Sequence, residues 1–317
     1  MILFIQTDFE SQIFYINLQR KKLSTLRQRM KRRFLTATLS ALLIISSIDI
    51  FAQQTYNLPT YEQGTNTSSG TIEVYLPKAD KANGCAVVLC PGGGMRALAW
   101  DSDVKQMATF LNERGIAAIG LRYHLYTQIT GAPREGAGMQ MAPMVDVTKF
   151  EQFPQADANP MHYPAGDSII QLAANDGKAA IKFVRQHAKE WDIDEHKIGF
   201  LGFSAGGGVA VGATIQATDP MERPDFLCSC YGPSLMKVTV PQQAPPLLIM
   251  TRAEHPNVAA GLLALFLEWK KAGANAELHV YSDGRGPYTL MPETGNTTTE
   301  AWSQQLILWL KAKGFAK

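Results

Sequence analysis

The sequence predicts an α/β domain with a mainly parallel central sheet and helices on both faces. Short apolar runs alternate with longer stretches of helical period, the βαβ rhythm of such a sheet. One of those runs ends in a glycine-flanked serine that opens a segment of small residues. The 317 residues are 46% hydrophobic and 18% charged, with 14 Phe, 10 Tyr and 5 Trp, enough to bury one large core. That balance excludes a disordered, collagenous or multi-span membrane protein. Thirty basic against 28 acidic residues leave a net charge of +2, too weak a field to point to nucleic acid.

The chain starts with an address. Met30-Lys31-Arg32-Arg33 precedes the mostly apolar run Phe34 to Phe51 and then Ala52-Gln53-Gln54, the three-part pattern of a secretory signal peptide. Thr36, Thr38, Ser40 and Ser46 interrupt the run, so stable membrane insertion is not expected once residues 1–52 are removed. Met30 can itself open such a signal, which makes 1–29 an expected start-site extension. Cleavage after Ala52 implies export to the periplasm or the extracellular space.

Residues 53–70, rich in Thr, Ser, Gln and Gly, read as a flexible lead-in to one domain over 71–317. Its strands are expected at Thr71–Leu76, Cys85–Cys90, Ile116–Leu121, Lys197–Phe203, Phe226–Tyr231, Leu247–Thr251 and Glu277–Tyr281. Val104, Met107, Ala108 and Leu111 fall at helical spacing behind an expected Asp101 or Ser102 cap, and Gly115 stops that helix. A second stripe runs through Ile170, Ala173, Ala174, Gly177, Ile181 and Val184, and a third through Trp302, Leu306, Trp309 and Leu310. Residues 127–165, rich in Gly, Pro, Met and Gln, read as a long loop, which in a compact domain is usually functional or disordered. Met139, Met141, Pro143 and Met144 could line an adaptable apolar wall there. Cys85, Cys90, Cys228 and Cys230 lie on apolar segments and read as buried free thiols. No spacing suggests a metal site, and no cofactor is expected.

Chemistry enters at Gly202-Phe203-Ser204-Ala205-Gly206. A G-x-S-x-G that follows an apolar strand and opens a helix is a nucleophile elbow, which lifts the serine hydroxyl above the sheet. Gly202 and Gly206 keep side chains out of so tight a turn. Pro91-Gly92-Gly93-Gly94 follows another apolar strand and can aim backbone amides at a developing oxyanion. Gly93, Gly94 and Ala205 are the candidate donors.

These motifs resemble the α/β-hydrolase superfamily, in particular secreted bacterial esterases and lipases related to acetyl xylan and feruloyl esterases. The resemblance covers Thr71 to Phe315. It is carried by Pro91-Gly92-Gly93-Gly94, Leu98-Ala99-Trp100, Asn112 to Ala118, Leu121-Arg122-Tyr123, Gly202 to Gly207, Lys271-Ala272-Gly273 and Ala276 to Tyr281. It implies an α/β-hydrolase fold and a Ser204 acyl-enzyme acting on small-molecule or polysaccharide esters.

The resemblance also implies an acid after the strand Leu247–Thr251 and a histidine after the last strand. The first place reads Arg252-Ala253-Glu254-His255-Pro256. The second reads Asp283-Gly284-Arg285-Gly286-Pro287, with Gly286 where the histidine belongs. Gly208 stands where the family usually has another histidine. The triad therefore reads as degenerate. His187, His196 and His279 lie within or before regular elements, whereas His124, His162 and His255 lie where they could reach the site. His255 is the candidate base, with Glu254 or Asp283 as the candidate acid. The expected function is an exported serine ester hydrolase. The competing reading is a catalytically impaired homologue that binds a carbohydrate or an acylated ligand.

Overall fold

A computed structural model describes residues 54–59, 70–126, 166–253, 255, 261–282, 290 and 294–317. All belong to one compact unit, Phe51–Lys317. The expected signal peptide, the loop 127–165, His162, Glu254, Asp283 and Gly286 lie outside the described residues.

Eight strands among the described residues form one sheet: β1 (Gln54–Asn57), β2 (Thr71–Tyr75), β3 (Ala86–Cys90), β4 (Ala117–Arg122), β5 (Ile198–Phe203), β6 (Leu227–Cys230), β7 (Leu247–Arg252) and β8 (Ala276–Tyr281). Their spatial order is β1-β2-β4-β3-β5-β6-β7-β8. The pairs β1/β2 and β2/β4 are antiparallel, and all the others are parallel. Every residue of β3 and β5 is buried. Successive strand residues point to opposite faces, so burial of all of them requires cover on both faces.

All seven runs expected from sequence appear as strands, within one residue of their expected ends. β1 is not among them: residues 54–57, read as part of the lead-in, pair with β2 from Gln54↔Val74 to Asn57↔Thr71. This strand is polar and mostly exposed, so it carries no apolar alternation to announce it.

The helices are α1 (Met107–Asn112), α2 (Gly166–Gln186), α3 (Ala205–Gln216), α4 (Leu263–Lys271) and α5 (Trp302–Ala312). All three expected stripes face the core. At Gly177 an added Cβ would come within 2.8 Å of Ala213 Cβ, which shows how closely α2 approaches α3. The expected cap before α1 is absent. A π-helical turn, Asp101–Gln106, leads into α1, Trp100 precedes it without a side-chain cap, and the Ser102 hydroxyl bonds Asp103 instead. All four cysteines are free and buried, and burial pushes the Cys85 thiol up to about 12, away from thiolate reactivity.

Candidate active site

From β3 the chain turns to β4 on one side, whereas β5 leads to β6, β7 and β8 on the other. The carboxyl ends of β3 and β5 therefore border the switch point at which open α/β sheets bind ligands. Register brings them level, with Cys90 opposite Gly202. Pro91-Gly92 and Phe203-Ser204 thus emerge side by side.

Ser204 sits between β5 and α3 at φ 50° and ψ −123°, a conformation that L side chains rarely adopt. Its N–H donates to Cys230 O at 3.0 Å, and its carbonyl accepts from Gly207 N at 2.9 Å. The two glycines of the turn are required by space. A Cβ on Gly206 would lie 2.0 Å from Cys90 O, and one on Gly202 would lie 2.5 Å from Gly206 O. Among the described residues, four non-glycines have positive φ. Three of them, Met95, Ser204 and Tyr231, follow β3, β5 and β6. Backbone strain is concentrated at one edge of the sheet. Ser204→Gly is accordingly expected to raise unfolding stability by about 1 kcal/mol, the relieved strain outweighing glycine's extra unfolded-state entropy. Thermal or urea unfolding beside Ser204→Ala checks this.

The glycine loop lies against the serine. A Cβ on Gly92 would stand 3.2 Å from Ser204 Cβ, and Gly93 and Gly94 turn the chain at φ 136° and 61°. The N–H groups of Gly93, Gly94 and Ala205 donate to no acceptor among the described residues, whereas that of Gly92 is taken by Asp103. Gly208, where the resemblance has a histidine, faces Leu235. A Cβ there would lie 2.4 Å from Leu235 Cγ, so the position has no room for a side chain.

The described histidines separate cleanly. His187 stacks between Phe183 and Trp191, His279 bonds Glu277 on β8, and His196 is exposed ahead of β5. His124 follows β4, and its Nδ1 lies 2.6 Å from Asp176 Oδ2, which also accepts the His124 backbone N–H. β3 stands between β4 and β5, so two strand spacings, about 10 Å, separate the end of β4, which His124 follows, from the end of β5. It reads as a buried latch that ties the end of β4 to α2.

His255 lies beyond β7, with its ring centroid 4.8 Å from that of Tyr231. The next residue, Gly232, is so close to the turn that an added Cβ would be 2.8 Å from Ser204 O. Among the described residues no side chain hydrogen-bonds Ser204 Oγ, His255 included. Burial, helped by the Arg252 charge, pulls the His255 pKa from 6.5 down to about 4. The unfolded chain therefore binds more protons between those values. Stability is expected to fall as pH drops from about 6.5 towards 4, and the loss is complete below 4. Urea midpoints of wild type against His255→Gln across that window read this slope directly.

A surface cleft at the far end of α3, lined by Thr214, Arg223, Pro241 and Gln243, offers less chemistry. Its Arg223 guanidinium is already committed to Ala217 O, Thr218 O and Gln243 Oε1.

Solved structures share this architecture. An acetyl ester-xyloside bifunctional hydrolase from Caldicellulosiruptor lactoaceticus matches with a TM-score of 0.56 at 22% identity, over 83% of this chain and 97% of that one. An α/β-hydrolase enzyme from a Medee basin deep-sea metagenome library matches with a TM-score of 0.52 at 17% identity, over 83% and 98%. The chain has the α/β-hydrolase fold. Residues 137–227 match the BD-FAE family model, a stretch that contains the whole serine turn. An acetylxylan esterase of Xylanibacter ruminicola is 28% identical over 158 residues. That match covers 50% of this chain and 24% of the relative, so the chain spans about a quarter of the curated relative's length.

Sequence reasoning passed over Asp103 and Asp176. Asp103 reaches back 11 positions to the glycine loop and Asp176 reaches His124 over 52 positions, and no local motif marks either contact.

Proposed function

We propose that this α/β-hydrolase is an exported carboxylic-ester hydrolase that works through an acyl-enzyme on Ser204. One observation carries the reading: a strained serine at the switch point has unengaged backbone amides beside it. In this scheme Ser204 Oγ attacks the ester carbonyl and gives its proton to a base. The amides of Gly93, Gly94 and Ala205 hold the resulting oxyanion. Collapse releases the alcohol and leaves Ser204 acylated, and water then hydrolyses that ester with the base acting again.

The base is His255, oriented by Glu254 or Asp283. Its low pKa leaves it unprotonated near neutral pH. The absence of a Ser204–His255 hydrogen bond does not count against it, because catalytic hydrogen bonds often tighten only when substrate binds. The substrate is a small acyl ester, with acyl groups on polysaccharide as the favoured class. The names of the acetylxylan esterase relative and the ester-xyloside hydrolase support that choice. Export after cleavage at Ala52 completes the reading. Turnover of p-nitrophenyl acetate by the mature chain, beside Ser204→Ala and His255→Ala, tests it: both variants are expected to lose activity.

The second reading, a ligand-binding protein without turnover, draws on the sequence Asp283-Gly284-Arg285-Gly286 where a histidine belongs, and on Gly208. It expects no turnover and slow labelling of Ser204 by an organophosphonate.

A further inference from the structure

A buried carboxylate stands behind the glycine loop. Asp103, 3% exposed, lies on the π-helical turn that follows the loop. Its Oδ2 accepts the Gly92 N–H at 2.8 Å, and its Oδ1 accepts the Ser102 hydroxyl at 2.7 Å. The Gly92 carbonyl in turn accepts Ala99 N–H at 2.9 Å, and the Gly93 carbonyl accepts the N–H groups of Arg96 and Ala97, each at 3.1 Å. Gly92 is thus held through both its N–H and its carbonyl, beside Ser204.

Only the next two amides are left to serve the site, and their glycines have the positive φ values that turn them. If Gly92 were released, its own N–H could swing towards the ligand and displace them. We infer that Asp103 is a positioning residue, which occupies the Gly92 amide so that the Gly93 and Gly94 amides face the oxyanion formed at Ser204. This rests on the ester-hydrolase reading above.

The role is geometric rather than electrostatic. A negative charge close behind an oxyanion site opposes the charge that develops there, and burial already raises the Asp103 pKa against the pull of its two hydrogen bonds. An asparagine amide oxygen can accept the same Gly92 N–H. Asp103→Asn should therefore keep kcat within about fivefold of wild type. Asp103→Ala should lower kcat by about 10²-fold, the usual loss for one oxyanion donor, with KM changed less than about threefold.

The test measures kcat and KM for p-nitrophenyl acetate and the inhibition constant of a trifluoromethyl ketone, for wild type, Asp103→Asn and Asp103→Ala. The inference expects the ketone to weaken in parallel with kcat/KM in the alanine variant and to recover in the asparagine variant. A merely structural role would lower the unfolding midpoint without that parallel. An alanine variant with unchanged kcat, or an asparagine variant as impaired as alanine, overturns the inference alone. If Asp103→Ala does not fold, Asp103→Glu, which moves the carboxylate by one methylene, gives the same readout. A wild type without Ser204-dependent turnover removes the ester-hydrolase reading and this inference with it.

Discussion

Ser204→Ala is expected to lower kcat/KM for p-nitrophenyl acetate by about 10⁶-fold, because loss of the nucleophile leaves only oxyanion stabilisation and binding. In this scheme Ser204 is the group that forms the acyl-enzyme. Its neighbours, Phe203 and Ala205, are buried and carry no nucleophile. The fold should not suffer, since Ser204 makes its contacts in the turn through backbone atoms, the N–H to Cys230 and the carbonyl to Gly207. Alanine retains both. A loss of activity with an unchanged unfolding midpoint is the expected pair of results, and steady-state kinetics beside a thermal melt reads both.

His255→Ala is expected to cost about 10²- to 10⁴-fold in kcat, the range over which a positioned base acts. The pH profile makes this prediction specific. A base must be unprotonated to accept the serine proton, so the acid limb of kcat/KM follows the free enzyme's pKa. With His255 near 4 rather than 6.5, wild-type activity should persist from pH 8 down to about pH 5 and fall only below that. A base of ordinary pKa would place the fall near pH 6.5. In His255→Ala the residual rate should follow hydroxide instead and rise with pH. Initial rates from pH 4 to 9 in both proteins distinguish these profiles.

Much of the fold was legible because its central strands are continuous apolar runs. Residues 86–90 and 198–203 are buried on both faces, so neither run tolerates polar alternation, and each stands out against its flanks. The serine turn was legible for a different reason. Its glycines answer a local crowding, Gly206 against Cys90 O and Gly202 against Gly206 O, that leaves a fixed short motif. β1 was hidden because pairing with β2 makes it a strand although its side chains are polar.

The helix start at Asp101 was misread for a related reason. Asp101 and Ser102 look like caps, yet in the folded chain the Asp101 carboxylate accepts from Lys105 and the Ser102 hydroxyl bonds Asp103. In the site, the serine and the glycine loop were read from motifs. The commitment of Asp103 to Gly92 and of His124 to Asp176 depends on contacts between separate elements, which no motif encodes. Gly208 is the reverse case: its departure from the pattern that the resemblance implies is visible in the sequence, but Leu235 packed against it explains why.

The most direct test of the central claim is covalent capture of the nucleophile. Wild type and Ser204→Ala would be incubated with diethyl p-nitrophenyl phosphate and their peptides mapped by mass spectrometry. The account predicts one diethylphosphoryl group per chain, on the peptide bearing Ser204, formed within minutes and absent from the alanine variant. A wild type that remains unlabelled, or one labelled equally in Ser204→Ala, would contradict it.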